Sequence, residues 1–139
     1  MQGPTRRDAA LLVSALALAS VVGPSRAATR RNMIYQLRTY EIFDANKAAF
    51  HTRFRDHAAR IMKRHDFDIA AMWEAKGEKG PEFVYLLRWP DEATLDARWA
   101  AFMADAEWSR IKDETGKDGP LVGGIDSRVM RLVDYSPAL

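Results

Sequence analysis

The alternation of polar and apolar positions is clearest between residues 82 and 89, which read Glu-Phe-Val-Tyr-Leu-Leu-Arg-Trp. Side chains of an extended strand point alternately to its two faces. Phe83, Tyr85, Leu87 and Trp89 therefore share one face, and Val84 and Leu86 lie on the other. A strand apolar on both faces needs cover on both. The helices expected elsewhere are too few to cover two faces, which points to a second copy closing one of them.

The same reading divides the rest of the chain. Residues 33–43 form the expected first strand, with Ile34, Tyr35, Leu37, Thr39, Tyr40 and Ile42 suited to a pleated surface. Asp44 is expected to cap a helix whose apolar stripe, Phe50, Phe54, Ala58 and Ile61, is spaced by 4, 4 and 3 residues. Arg60, Lys63, Arg64 and His65 crowd its last turn, where cations complement the free carbonyls. Asp66 then takes the helix-ending position, where glycine is easier and Asp is tolerated. Residues 67–76 read as a second strand, and Lys76 to Pro81 as a turn. The segment 82–89 returns from it as a hairpin. Pro90 stops that strand, and Asp91 caps a second helix with Leu95, Trp99, Phe102 and Met103 on one stripe. A short turn through Trp108 and Ile111 folds back onto it. Residues 112–119 read as a loop. Residues 127–133 form the fourth strand, behind a pliable Gly123-Gly124.

This order of elements predicts an α+β, ferredoxin-like βαββαβ domain. Its four-stranded antiparallel sheet carries both helices on one face. The other face is apolar, and large exposed apolar patches mark interaction sites. Two such sheets stacked face to face give a dimeric α/β barrel with a lumen between subunits, hence a homodimer.

The chain's opening has a different character. Met1 to Asp8 carries Arg6-Arg7, residues 9–23 are an apolar run rich in Ala, Leu and Val, and Pro24-Ser25-Arg26-Ala27 follows. Charged, apolar and small-residue regions in that order predict a signal peptide over residues 1–27, cleaved after Ala27. The run is shorter than the ~20 apolar residues of a membrane span, so membrane contact is expected only through the signal during export. Arg6 and Arg7 resemble a twin-arginine signal, although Ala9 and Ala10 stand where that pattern prefers Phe and Leu. Twin-arginine and Sec export both lead to a periplasmic or secreted protein. The folded domain is expected over residues 33–137.

Composition narrows the function classes. The chain has 139 residues, room for a single domain, and a net charge of +2. Residues 1–27 hold three arginines and one acid, so the remainder has 21 − 3 = 18 basic and 19 − 1 = 18 acidic residues. A neutral domain offers no electrostatic footprint for nucleic acid. The absence of cysteine excludes disulfides, thiolate nucleophiles and thiolate zinc sites.

Several segments resemble the NIPSNAP family of the dimeric α/β-barrel superfamily. They are Met33-Ile34-Tyr35-Gln36-Leu37-Arg38-Thr39-Tyr40, Lys63-Arg64-His65-Asp66-Phe67, Met72-Trp73, Asp105-Ala106-Glu107-Trp108, and Ser127 to Leu132 with Tyr135-Ser136-Pro137. Together they reach from about residue 33 to residue 137. The family usually has glycine where Asp66 stands and proline where Ala106 stands. The resemblance implies the ferredoxin-like fold and a small domain of uncertain biochemical role. Eukaryotic relatives are linked to mitochondria and vesicle traffic, cell biology that an export signal makes a poor transfer. The wider superfamily includes cofactor-free monooxygenases, haem-degrading enzymes and muconolactone-type isomerases, so the fold alone selects no chemistry.

Candidate chemistry centres on the first strand, where Arg38 and Tyr40 share a face with Gln36. With Leu37 toward the helices, Arg38 and Tyr40 face the lumen. A guanidinium beside a phenol can bind a carboxylate or steady an enolate. Trp73 and Tyr85 can wall such a ligand. The plainer alternative is a structural ion pair for Arg38 at the dimer seam, with the aromatics simply packed. His51, His57 and His65 all lie on the first helix. His51 and His57 point in very different directions, and His51 and His65 sit ~21 Å apart along its axis. No metal site and no cofactor are therefore expected, and His57 reads as a surface or capping residue rather than a haem ligand. No glycine loop cradles phosphate and no serine sits in a nucleophile elbow. Trp99 and Trp108 read as core, and the charges along the helices as solvated faces. Three readings follow: an exported homodimer that binds a small, partly apolar molecule between its sheets; a cofactor-independent oxygenase or isomerase on that scaffold; and a non-catalytic interaction module.

Overall fold

The computed structural model describes residues 32–137 together with Gly23 and Leu139. The expected signal peptide, with Arg6 and Arg7, lies outside the described residues. Strands β1 (Ile34–Ile42), β2 (Asp68–Lys76), β3 (Pro81–Trp89) and β4 (Val122–Arg131) form one antiparallel sheet in the order β2-β3-β1-β4. Helix α1 covers residues 47–64, α2 is Glu92–Met103 and α3 is Ala106–Thr115. All three supply buried side chains to a core on one face of the sheet. This is the expected ferredoxin-like arrangement.

The alternation in β3 is realised: Phe83, Tyr85, Leu87 and Trp89 are buried against the helices, and Val84 and Leu86 are half-buried on the opposite face. The stripe of α1 is also buried at Phe50, Phe54, Ala58 and Ile61. The helix is not uniform, however. It is α-helical over Lys47–Arg53, π-helical over Phe54–Ala58 and α-helical again over Ala59–Arg64. Successive spacings of four suit a π turn, which takes more than 3.6 residues per revolution.

Four local expectations are corrected. Asp44 opens a single 3-10 turn (Asp44–Asn46) and caps nothing with its side chain. The Asn46 amide that adjoins α1 instead donates to the Pro120 carbonyl at 3.0 Å. Met103 is 53% exposed, because the buried stripe of α2 passes through Leu95 and Phe102 and Met103 lies roughly 100° further round the helix. The stretch read as a loop from residue 112 continues α3 to Thr115, helped by the Arg110–Glu114 pair one turn apart at 3.1 Å. Strand β4 begins at Val122 and runs through Gly123-Gly124. A Cβ on those glycines would lie 3.2 and 3.1 Å from Glu41, whose carboxylate accepts from the Gly124 N–H at 3.2 Å. The two glycines mark a close approach inside a strand rather than a flexible lead-in.

The helix ends carry the polar stitching. Asp66 adopts φ 59°, the left-handed conformation expected of it. Asp91 caps α2 by accepting from the Thr94 N–H at 2.7 Å. Asp105 caps α3 by accepting from the Trp108 N–H at 3.0 Å, and its other oxygen meets Arg64 and His65, each at 2.7 Å. Glu107 pairs with Arg60 and Arg64. Arg64, then His65, then the Trp108 N–H hold the Asp105 carboxyl well below the usual carboxylate range. Arg60 and then Arg64 lower Glu107 to about 2. This cluster joins the end of α1 to the start of α3.

Carboxylates with depressed folded-state pKa values add stability that is complete above the ordinary range and lost as pH falls through their folded values. Thermal melts should therefore weaken from about pH 4 toward pH 2, and Asp105→Asn should flatten that acid limb while lowering the melt at neutral pH. An unchanged limb would show that the cluster does not carry acid stability. Ala106 is exposed at the first position of α3, after an extended Asp105 with ψ 119°. Proline fits such a position, so Ala106→Pro should raise Tm by about 2–5 °C.

Candidate functional site

Strand β1 lies between β3 and β4, and each of its residues is committed to one face. Gln36, Arg38 and Tyr40 turn toward the helices. Gln36 is buried: its Oε1 accepts from the indole Nε1 of Trp89 at 3.2 Å and of Trp99 at 2.8 Å, and its amide donates to Ser127 Oγ at 3.0 Å. Arg38 and Tyr40 therefore lie under the helices, and Leu37 faces the open side, the reverse of the lumen-facing placement expected from the sequence. The physical reason is that Gln36 is at home on the core face because its oxygen and amide find partners there, and strand alternation carries Arg38 and Tyr40 with it.

Next to Gln36 the Arg38 guanidinium lies 4.6 Å from the Trp99 ring centroid and 5.4 Å from that of Tyr40, cation–π distances. Its Nη2 makes a long 3.4 Å contact to the Tyr40 hydroxyl. The Tyr40 and Tyr85 hydroxyls are 2.7 Å apart. Arg38 Nε is buried and has no hydrogen-bond partner, and no carboxylate among the described residues pairs with this side chain. Burial works against its charge, but the phenols of Tyr40 and Tyr85 more than offset it, so its pKa is raised. Burial, then Tyr40, holds Tyr85 far above the usual phenol range. Tyr85 thus stays protonated and serves as a hydrogen-bonding group rather than a base.

A second arginine enters from α1. Arg53 is the last residue before the π turn. It contacts Thr115 Oγ1 at 3.4 Å and lies 5.9 Å from the Trp108 ring centroid. Every other arginine between residues 32 and 137 pairs with a carboxylate. Arg38 and Arg53 do not.

The structure thus brings together Arg38, Tyr40 and Tyr85 from the expected set. It does not bring Trp73, which lies opposite Val84 on the open face and is 49% exposed. Arg53, Gln36 and the ligand-facing potential of Trp99 escaped sequence reading. Arg53 follows Phe50 by three positions, so its place beside the buried stripe was the available signal. His51 reaches Glu74 at 3.1 Å and His65 reaches Asp105. Among the described residues no cluster is arranged to hold a metal ion, and no helix is long and apolar enough to cross a membrane.

Residues 35–137 match the NIPSNAP family model. The chain belongs to the NIPSNAP family. An uncharacterised NIPSNAP-like domain protein from Burkholderia xenovorans superposes with a TM-score of 0.67 at 18% identity, over 78% of this chain and 92% of that one. A NIPSNAP family protein of unknown function from Agrobacterium tumefaciens strain C58 gives 0.66 at 21% identity, over 78% and 96%. At these identities the likeness establishes the fold. No curated protein matches the sequence.

In this NIPSNAP domain the Gln36 side chain organises the site. Gln36→Leu keeps the volume but strands two indole N–H groups, one of them buried. Each unsatisfied group costs about 1–3 kcal/mol, so denaturant unfolding should report a loss of about 2–4 kcal/mol. A loss below ~1 kcal/mol would show that the indoles find other partners.

Proposed function

We propose that this NIPSNAP domain is an exported homodimer that binds a small, partly apolar anion. The binding place is the Arg38 end of the helix-facing side of β1 and β4 rather than the space between two sheets. The observation that carries this reading is Arg38, a half-buried side chain with a buried, unpartnered Nε and no carboxylate partner among the described residues. Tyr40 and Tyr85 favour its charge without neutralising it, which leaves the guanidinium able to meet an anionic ligand. Trp99 and Tyr40 offer aromatic walls. Ile125 and Val129, opposite Tyr40 and Gln36 on β4, are 52% and 49% exposed and can receive an apolar body.

The homodimer is supported by the uncovered side of the sheet. There Leu37, Val84 and Leu86 are only half-buried and Trp73 is half-exposed. Tyr35, Leu86, Met130, Leu132, Val133 and Leu139 line a depression of about 260 Å³ on that side. Export rests on the charged, apolar and small-residue pattern of residues 1–27.

The test is Arg38→Met, which keeps the apolar stem and removes the charge. Octyl sulfate below its micelle concentration is the probe. The variant should bind it at least ~10-fold more weakly, with its circular dichroism spectrum unchanged. Light scattering should report a dimer for both proteins. Undiminished binding would overturn the ligand reading, and a monomer would remove the homodimer.

A further inference from the structure

The sheet has two edges, β2 and β4, and a strand edge presents a row of unpaired N–H and C=O groups. Strand β2 blunts its edge with a bulge between Ile69 and Ala71. Strand β4 has no such guard along most of its length. Ile125 to Arg131 pair with β1 without a break, and the strand contains neither proline nor lysine. Every residue from Gly123 to Arg131 is exposed, and among the described residues no strand lies on the outer side of β4.

That edge is complementary to itself. Turned antiparallel about Ser127, a second β4 sets Asp126 opposite the partner's Arg128 and Ile125 opposite the partner's Val129. Residues directly opposite in such a pair share a face of the sheet. Asp126 and Arg128 lie on the open face, opposite Thr39 and Leu37 of β1, and pair within one chain at 3.0 Å. In the doubled sheet the two pairs join as four alternating charges. Ile125 and Val129, half-exposed on the helix-facing side, gain apolar neighbours across the seam, and the small Ser127 meets only its own copy. Other registers are worse. A slip of one residue sets Ile125 against Arg128 or Val129 against Asp126. A slip of two sets Asp126 or Arg128 against its own like charge.

We propose that β4 is a second contact between copies of this chain, in which two β4 edges pair antiparallel about Ser127 and join two sheets into one. It is independent of the ligand reading and of the contact through the open face. An edge contact belongs with weak interfaces of under ~1,200 Å², so dilute protein stays dimeric and the pairing acts at high concentration.

The chain has no cysteine, so introduced thiols report the register. Under diamide, Ser127→Cys should link into covalent pairs at least ~10-fold faster than Ile125→Cys, whose two copies lie about 13 Å apart along the seam. Ser127 faces the helix side, so stacking of open faces cannot link it. Ile125→Cys combined with Val129→Cys should link as well, which covers the case in which losing the Ser127 hydroxyl unsettles Gln36. Adding Arg128→Asp or Asp126→Arg to Ser127→Cys should slow linkage at least ~5-fold by opposing like charges. Mixing those two variants should restore it between unlike chains, read by mass. Equal rates for Ser127→Cys and Ile125→Cys, no linkage in either Ser127→Cys or the double variant, or indifference to charge reversal and mixing would overturn the proposal.

Discussion

Two indole N–H groups converge on one amide oxygen, and that contact fixes how the central strand is oriented. Residues along a strand alternate strictly, so committing one position commits the rest. Once Gln36 accepts from Trp89 and Trp99 beneath the helices, Arg38 and Tyr40 must follow it to the same side. Leu37 must then face away from the core, although it is the more apolar residue. Shifting β1 by one residue would bury Leu37 comfortably but leave both indoles unanswered and send the guanidinium to the open face.

The arginine-bearing face that results is built against the ordinary rule of a protein interior. Buried charges are normally paired, and the surface arginines of this domain follow that rule. The two arginines that break it are Arg38 on β1 and Arg53 on α1, each beside aromatic rings whose faces tolerate a cation without neutralising it. A Tyr40–Tyr85 hydroxyl pair gives the Arg38 end its polar company. Such an arrangement leaves the cations available rather than satisfied.

Much of the fold was legible in the sequence because it is written in local patterns. The Phe83-to-Trp89 alternation, the Phe50-to-Ile61 stripe, the Asp91 cap and the left-handed Asp66 each depend on neighbours a few positions away. The orientation of β1 was not legible. It depends on indoles 53 and 63 residues distant from Gln36, and hydrophobicity alone argued for the opposite face. The same limit applies to Gly123-Gly124, whose meaning comes from Glu41 on a different strand, 83 residues from Gly124. Within the candidate site, Arg38, Tyr40 and Tyr85 were found by residue type. Trp73 was misplaced with the face, and Arg53 was hidden among charges that read as solvated.

The π-helical turn at Phe54–Ala58 gives α1 a tolerance of length that a regular helix would lack. It absorbs more residues per revolution than the α-helical turns on either side. Removing a single residue from it would let the segment relax into continuous α-helix, each half keeping the face it turns to the sheet. The same loss between Phe50 and Phe54 would instead turn the start of the helix by roughly 100° about the axis and carry Phe50 off the core stripe. A lone codon deletion is thus absorbed in one turn of this helix and disruptive in the turn before it.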